Sequence, residues 1–399
     1  MMTTATKHNG RIFVVGQTAA PVPRPVVAAA RRDVWRWGAD NRLPEALAAL
    51  SRSSTIHRRI INDKADYISG SGLTVDESSP RTAALVKEAN ADGQSLRTVI
   101  QRIALDRCLL GNAFLEIVTD SGRNFLSLYH QDATRCRLSR DGGHVVLHHD
   151  WHQYRPSESV VLPLYPAFEE RPDGTLRAMI HYKDYEPMFE HYGVPKYIAG
   201  LGASAIVWKT DRWNLSRLDN AFQPSGVMVL DGDTDSEQEA ARIAQLAEEK
   251  FAGKPGQVMF LVKNGIEGDT TKFIPIETSS DGDWKSLHDQ SVSDIIVAHS
   301  WFRTLSGLEY STGFSADRVR HEYNIALNTL IRVEQQEIIE PVRAVCADLF
   351  REHTSSLAFV NRPPFEVKPD YMRVWEARKA DGFDYDPDDP AQQLFLSQI

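Results

Sequence analysis

Residues 315–350 read SADRVRHEYNIALNTLIRVEQQEIIEPVRAVCADLF, the strongest helical signal in the chain. Ser315 is a suitable N-cap, because its hydroxyl can accept an orphan N–H of the first turn. Val319, Tyr323, Ala326, Leu330 and Val333 recur at steps of four, three, four and three, the spacing of one helix face. The pattern continues past Pro341 to Phe350, and roughly 35 residues at 1.5 Å each give a helix of about 50 Å. Pro341 removes one i→i−4 bond, so a kink is expected there.

Two more helical stretches lie upstream and frame a compact insert. Lys196–Phe222 is helical in pattern, loosened by Gly200 and Gly202 and stopped by Pro224. Trp284–His299 sets Trp284, Leu287, Val292 and Ile295 along one face. Between them Val227–Leu230, Gln257–Val262 and Lys272–Ile276 read as strands. Ser236-Glu237-Gln238-Glu239 is a capping box opening a helix to Phe251, with Gly253 past its end.

The N-terminal half is α+β. Pro44–Ser51, Ser54–Ile68 and Ser95–Leu110 read as helices, the last with Leu96, Val99, Ile100, Ile103 and Ala104 at helical spacing. Strands follow at Ala113–Val118, Phe125–Tyr129, Thr134–Leu138, Val145–His149 and Ser159–Leu164, parted by turns such as Asp120-Ser121-Gly122. Residues 1–32 hold five basic residues and no acidic one, and Pro21, Pro23 and Pro25 keep this arm extended. It reads as a flexible tail, or as an arm lying on a neighbouring subunit or an acidic surface. Leu357–Val360 and Phe365–Val367 are late strands, and Asp381–Asp389 form an acidic, solvated tail.

Composition narrows the function classes. With 399 residues, 42% hydrophobic and 25% charged, the chain is an ordinary globular one of more than one domain. The net charge of −9 disfavours a surface that clamps DNA throughout. No apolar run approaches the ~20 residues needed to span a bilayer, and no signal peptide is expected. Cys108, Cys136 and Cys346 are far apart, which suits buried thiols in a reducing compartment.

Catalytic patterns are few. His148-His149-Asp150-Trp151-His152, with His144 nearby, is the best metal candidate. Strand alternation should send His148 and His149 to opposite faces, so no metal is expected. Gly253-Lys254-Pro255-Gly256 has Pro where a phosphate loop needs Ser or Thr. Cys108 sits in an apolar helical pattern and reads as core. No catalytic residue, cofactor or enzymatic activity is expected. A metal-dependent hydrolase using His148, His149 and His152 is the alternative from another class.

Several segments together resemble one family. Trp37-Gly38-Ala39-Asp40-Asn41-Arg42-Leu43-Pro44, Gly111-Asn112-Ala113-Phe114-Leu115-Glu116, and Tyr192-Gly193-Val194-Pro195 followed by a helix stand in an order similar to that of tailed-bacteriophage portal proteins. So do Phe222-Gln223-Pro224-Ser225-Gly226-Val227, Ile296-Val297-Ala298-His299, Leu305-Ser306-Gly307 and Glu340-Pro341. The resemblance covers roughly residues 37–370 and looks closest to PBSX-like prophage portals. Phe222-Gln223 departs from the usual pattern before the Pro-Ser-Gly element.

The resemblance implies a portal-like α+β fold. Its parts would be an N-terminal arm (1–36), a wing (37–195), stem helices (196–222 and 281–299) flanking an α/β clip (223–280), a tunnel loop (300–315), a long kinked helix (316–352), and C-terminal wing strands with the acidic tail (353–399). It also implies a ring, usually twelvefold, at one capsid vertex of the virion, assembled in host cytoplasm and passing double-stranded DNA. Terminase, the major capsid protein and a head–tail adaptor would be its partners, with no membrane. Another ring-forming connector component is the nearest alternative.

By the same resemblance, Arg303, Thr304, Ser306, Gly307, Glu309, Tyr310, Ser311 and Thr312 would face the DNA channel. Asp231, Asp233, Asp235, Glu237, Glu239, Lys254 and Lys263 would face adaptor or terminase. The clip holds ten acidic and five basic residues, a net −5 that a ring would multiply. An acidic wall repels phosphates and leaves a duplex mobile, since tight binding needs phosphate neutralisation.

Overall fold

The computed structural model describes residues 11–13, 22–31, 33–219, 226–231, 242, 259–263, 272–275, 281–308, 316–352, 354–363, 372–380, 384 and 386–395. Four helices open the main body: α1 (Leu43–Ser53), α2 (Thr55–Ser69), α3 (Pro80–Lys87) and α4 (Leu96–Leu110). The Ser95 hydroxyl accepts the Thr98 N–H to start α4. Gly111, at φ 68°, ends it in a left-handed conformation that suits glycine.

Strand Asn112–Asp120 then runs through the middle of a four-stranded sheet. It is buried on both faces, and its side chains divide by alternation. Ala113, Leu115 and Ile117 join Ile60, Ile100 and Ile103 in one core, while Phe114 joins Trp37, Leu47 and Tyr197 in a second. Each fully buried Ile or Leu contributes about 1.5–3 kcal/mol relative to exposure. A separate three-stranded antiparallel sheet, Cys136–Leu138, His144–Leu147 and Val160–Pro163, packs beside the second core.

The longest pairing in the body was not legible in the sequence pattern. Thr175–Lys183 runs antiparallel to Asn112–Asp120 over nine residues. Arg177 and His181 interrupt its apolar pattern, but each has a partner on the neighbouring strand: Arg177 pairs with Glu116 at 3.1 Å, and His181 bonds Asn112 at 2.9 Å. Both are diagonal cross-strand contacts, which a single-strand reading cannot supply.

The helical pair is present. α5 (Leu201–Asp219) follows a 3₁₀ turn at Ile198–Gly200, and α6 (Asp281–Ala298) returns beside it. A Cβ at Gly200 would lie 2.6 Å from the Ala298 Cβ, so this glycine permits the close approach at one end. At the other end Trp213 stacks on Trp284 with centroids 5.0 Å apart. The two helices therefore run antiparallel.

The insert contributes a four-stranded sheet in the order 11–13, 259–263, 226–231, 272–275. Gly226–Asp231 and Met259–Lys263 pair in parallel, a geometry that needs a crossover between them. Of the expected crossover helix, only Arg242 is among the described residues, and it is helical. The edge strand Arg11–Phe13 comes from the N-terminal arm and pairs with Met259–Lys263 of the same chain.

The long helix differs from expectation. It comprises α7 (Ala316–Ala326), a π turn (Leu327–Ile331) and α8 (Arg332–Phe350). The change of hydrogen-bond pattern falls at the π turn, whereas Pro341 sits inside α8. Val333, expected on the buried face, is 50% exposed, because the wider turn holds one residue more than an α turn does. Ser315 and 365–367 lie outside the described residues. A short helix α9 (Val374–Ala380) was not expected.

Among the described residues, the tightest glycine contact joins two motifs. A Cβ on Gly193 would lie 2.3 Å from the Gly111 carbonyl oxygen and 2.6 Å from backbone atoms of Asp184. Backbone cannot give way as a side chain tip can. Gly193→Ala is therefore expected to lower stability by about 3 kcal/mol, read as a reduced Tm; an unchanged Tm would show that this contact is not tight.

Candidate functional site

Four of the motif segments, 37–44, 111–116, 192–195 and 296–299, far apart in the chain, converge at the base of α5. Trp37 N–H donates to Asn41 Oδ1 at 2.9 Å, closing a turn in which Gly38 and Asn41 both have positive φ. Arg137, fully buried, locks this turn. Its Nε donates to Asn41 Oδ1 and its Nη2 to the Asn41 carbonyl, both at 2.7 Å, while Nη1 bonds the carbonyls of Thr134 and Cys136. The guanidinium lies over Trp151 and Trp37. Trp37 in turn stacks flat on Tyr192 at 4.6 Å, and the Tyr192 hydroxyl donates to Trp35 O and accepts from Leu138 N–H.

Asn112 stitches two motifs together. Its Nδ2 donates to Leu110 O and Gly193 O, and its Oδ1 accepts from Gly193 N–H at 2.8 Å and from His181 Nε2 at 2.9 Å. Every polar atom of this buried side chain is thereby satisfied. His181 must stay neutral in this setting, and burial pushes its pKa down to about 3.

Beside this lies a buried histidine pair. His57 Nδ1 and His299 Nε2 are 2.8 Å apart and share one hydrogen bond, joining α2 to the end of α6. Tyr197 stacks on His299, meets His57 edge-on, and donates its hydroxyl to Leu109 O. Lys64 Nζ donates to the His299 carbonyl at 2.7 Å. Burial, with Arg58 nearby, lowers the His57 pKa to about 4. Burial, His57 and Lys64 hold that of His299 well below its ordinary value.

The third element is ionic. Arg107, on the buried stripe of α4, is 4% exposed. It reaches Asp184 at 2.5 Å, Glu337 at 2.6 Å and Glu334 at 3.3 Å. Lys196, just before α5, also pairs with Glu334. Burial works against the Arg107 charge, but the carboxylates outweigh it and raise its pKa. Burial likewise pushes Glu334 up, and Arg107 and Lys196 outweigh it, leaving the carboxyl below its ordinary value. For Asp184 burial wins over Arg107 and its pKa is raised, so Glu334 is the firmer anionic partner. Three carboxylates this close could hold a cation, and the Arg107 guanidinium fills that role.

This arrangement suits mechanical coupling better than covalent chemistry. Burial pushes the Cys108 and Cys346 thiols up to about 12, so neither is a thiolate nucleophile. The His148 cluster needs a correction. The strand ends at Leu147, so alternation does not part the two rings, and His148 and His149 lie 4.6 Å apart with Glu158 close by. Yet His148 Nδ1 accepts the Asp150 N–H at 3.1 Å, and its Nε2 faces the Arg155 N–H at 3.4 Å. Both nitrogens are turned to the backbone, and the donor set does not fit a metal.

The expected channel residues separate. Arg303 donates to Ser293 Oγ of α6 at 2.7 Å, and Thr304 donates to Glu322 of α7 at 3.2 Å. Ser306 is buried and donates to Phe302 O. Gly307 is exposed at φ 74°. Glu309, Tyr310, Ser311 and Thr312 lie outside the described residues. Of the expected clip-facing set, Asp231 and Lys263 end paired parallel strands in register with each other. Asp233, Asp235, Glu237, Glu239 and Lys254 lie outside the described residues.

Sequence reasoning missed Arg107, Asp184, Lys196, Glu334, Glu337, His57 and Arg137. Two carried a signal: Arg107 continues the stripe Ile100, Ile103, Ala104, and His57 lies beside Ile56, Ile60 and Ile61. A polar residue on an apolar face asks for a partner.

Comparison with known proteins follows the same lines. Residues 65–298 match the family model described as phage portal protein. The probable portal protein of Haemophilus phage HP1 (strain HP1c1) is 22% identical over 280 residues, 69% of this chain and 72% of that protein. The virion structure of a native gene transfer agent particle is similar in fold, with 17% identity, a TM-score of 0.52, and 90% of this chain and 97% of that one covered. The neck of the native particle computed with C12 symmetry is also similar, with 17% identity, a TM-score of 0.51, and coverage of 89% and 96%.

The neutral histidines give a pH signature. Unfolded histidine titrates near 6.5, whereas His57 does so near 4 when folded. The unfolded chain therefore binds protons more readily, and stability falls as pH drops from about 6.5 towards 4. A double His57→Phe, His299→Leu variant is expected to flatten the Tm-versus-pH slope in that window; the same slope as the parent would show that the pair does not titrate on unfolding.

Proposed function

Because this chain belongs to the phage portal protein family, we propose that it is one subunit of a closed ring at a capsid vertex, through which double-stranded DNA enters and leaves. The neck relative with C12 symmetry makes a twelvefold ring the first expectation. The observation that carries the reading is the antiparallel α5–α6 pair. It bears a small separate sheet at one end, and at the other it is fastened into the body by His299, Tyr197 and Lys196. A rod rooted at one end and tipped at the other can stack beside copies of itself, and head-to-tail contacts close a ring when the rotation closes.

In this reading residues 37–195 are the wing, α5 and α6 the stem, and 223–280 the clip that meets terminase and later the head–tail adaptor. The wing would adjoin the major capsid protein, and assembly would take place in the host cytoplasm. Residues 300–315 are the tunnel loop, of which Trp301–Leu308 is a compact part. The acidic clip keeps DNA mobile, and Arg303 offers transient contact. No helix among the described residues is long and apolar enough to cross a membrane.

Two measurements on the same preparation test this. Negative-stain imaging of purified protein, with capsid precursors where needed, is expected to show annular particles; a monomer under all conditions contradicts the reading. Deletion of Leu308–Thr312 is expected to leave rings intact but reduce DNA retention in filled heads, and unchanged packaging and retention would remove the loop from the channel.

A further inference from the structure

An apolar groove of about 290 Å³ lies between α1 and α5. Ala46, Ala49 and Ala205 line it with short side chains, and Val22 and Trp208 add apolar walls. Cations surround it. Lys209 lines the groove, Arg24 follows Pro23 of its wall, and Arg52 precedes Ser53. Arg212 sits one turn beyond Trp208, with its guanidinium 5.3 Å from that ring. All four cations are exposed, and among the described residues none has a carboxylate within ion-pair distance. The lining holds no acidic residue. The carboxylates close by in sequence are engaged elsewhere: Glu45 pairs with Arg137 at 3.3 Å, and Asp211 lies 3.6 Å from His288.

Like charges around an open apolar surface call for an occupant that is both acidic and apolar. Duplex DNA would meet the charges but leave the apolar lining empty. Residues 384–395 have both characters. They hold Asp384, Asp386, Asp388 and Asp389 and no basic residue, and they end in Leu394 and Phe395, 41% and 38% exposed. The segment returns against α9, where the Val374 N–H donates to Leu394 O and the Trp375 N–H to Gln392 O. None of its residues lines the groove of its own chain.

We propose that the α1–α5 groove receives the acidic segment 384–395 of a second copy of this chain. Phe395 fills the apolar lining, and the aspartates meet Lys209, Arg52, Arg24 and Arg212. The presence of a second copy alongside rests on the ring reading. Groove and segment are different surfaces, so the contact is head-to-tail and repeats around a ring without conflict. Reach is sufficient. Nine Cα steps separate residues 363 and 372 and span at most about 30 Å. Two helices side by side measure roughly 20–24 Å, so the segment of one subunit can cross the α5–α6 pair of the next.

The test is disulfide trapping in the full chain carrying Ala49→Cys and Phe395→Cys, read on a non-reducing denaturing gel. A ladder of multimers is expected from the double variant and none from either single one. Adding Lys209→Glu and Arg52→Glu should cut the trapped fraction at least about fivefold, and further adding Asp386→Lys and Asp388→Lys should restore it. No trapping, an intrachain disulfide, or a yield indifferent to these charges overturns the proposal. A second readout needs no ring. A fluorescently labelled 384–395 peptide should bind the full chain carrying Asp386→Asn, Asp388→Asn and Asp389→Asn, and at least about tenfold more weakly once Lys209→Glu and Arg52→Glu are added. Equal affinity, or displacement of the peptide by duplex DNA, also overturns the proposal. A chain that stays monomeric yet binds the peptide in this charge-dependent way keeps the groove's occupant and loses the ring reading. Rings that neither trap nor bind lose the occupant alone.

Discussion

A buried guanidinium shared by three carboxylates holds the molecule's parts in register. Arg107 leaves water almost completely, and a lone buried charge would be strongly destabilising. Asp184, Glu334 and Glu337 offset that penalty, and Lys196 offsets the excess of negative charge they bring. These residues come from α4, from the exit of the strand Thr175–Lys183, from the approach to α5 and from α8. Four segments remote in sequence are thus fixed by one electrostatic requirement. An apolar core of the same volume could be as stable, but it would specify their relative positions less sharply.

Small residues make that meeting possible. Gly111 and Gly193 bring two backbones to a separation that no side chain would allow, and Gly200 does the same for the ends of α5 and α6. The His57–His299 pair then ties α2 to α6 without burying a charge, because both imidazoles are neutral. The junction therefore has an ionic fastening, a neutral hydrogen-bonded one and a steric one.

Much of this was legible in the sequence. Helical periodicity gave α1, α2, α4, α5 and α6 within a few residues, because each has an apolar stripe bounded by a cap, a glycine or a proline. Four of the segments resembling portal proteins meet at the junction: Trp37 on Tyr192, Asn112 on Gly193, and His299 beside them on Tyr197. What stayed hidden depended on partners. Strand Thr175–Lys183 carries Arg177 and His181 among its apolar residues, and their partners Glu116 and Asn112 lie on another strand. The π turn was hidden because Leu330 and Ile331 are both apolar, so steps of four and of five were equally available. The His148 loop was misread because alternation was carried two residues past the strand's end.

The central claim is that Arg107 couples four segments rather than merely stabilising its own helix. The direct measurement is hydrogen exchange on Arg107→Met, with Tm in parallel. The account expects protection to fall together at the starts of α5 and α8 and around Asp184, with about 3–5 kcal/mol lost because the buried Asp184 carboxylate loses its cation. Loss of protection confined to α4, or an unchanged Tm, would contradict it.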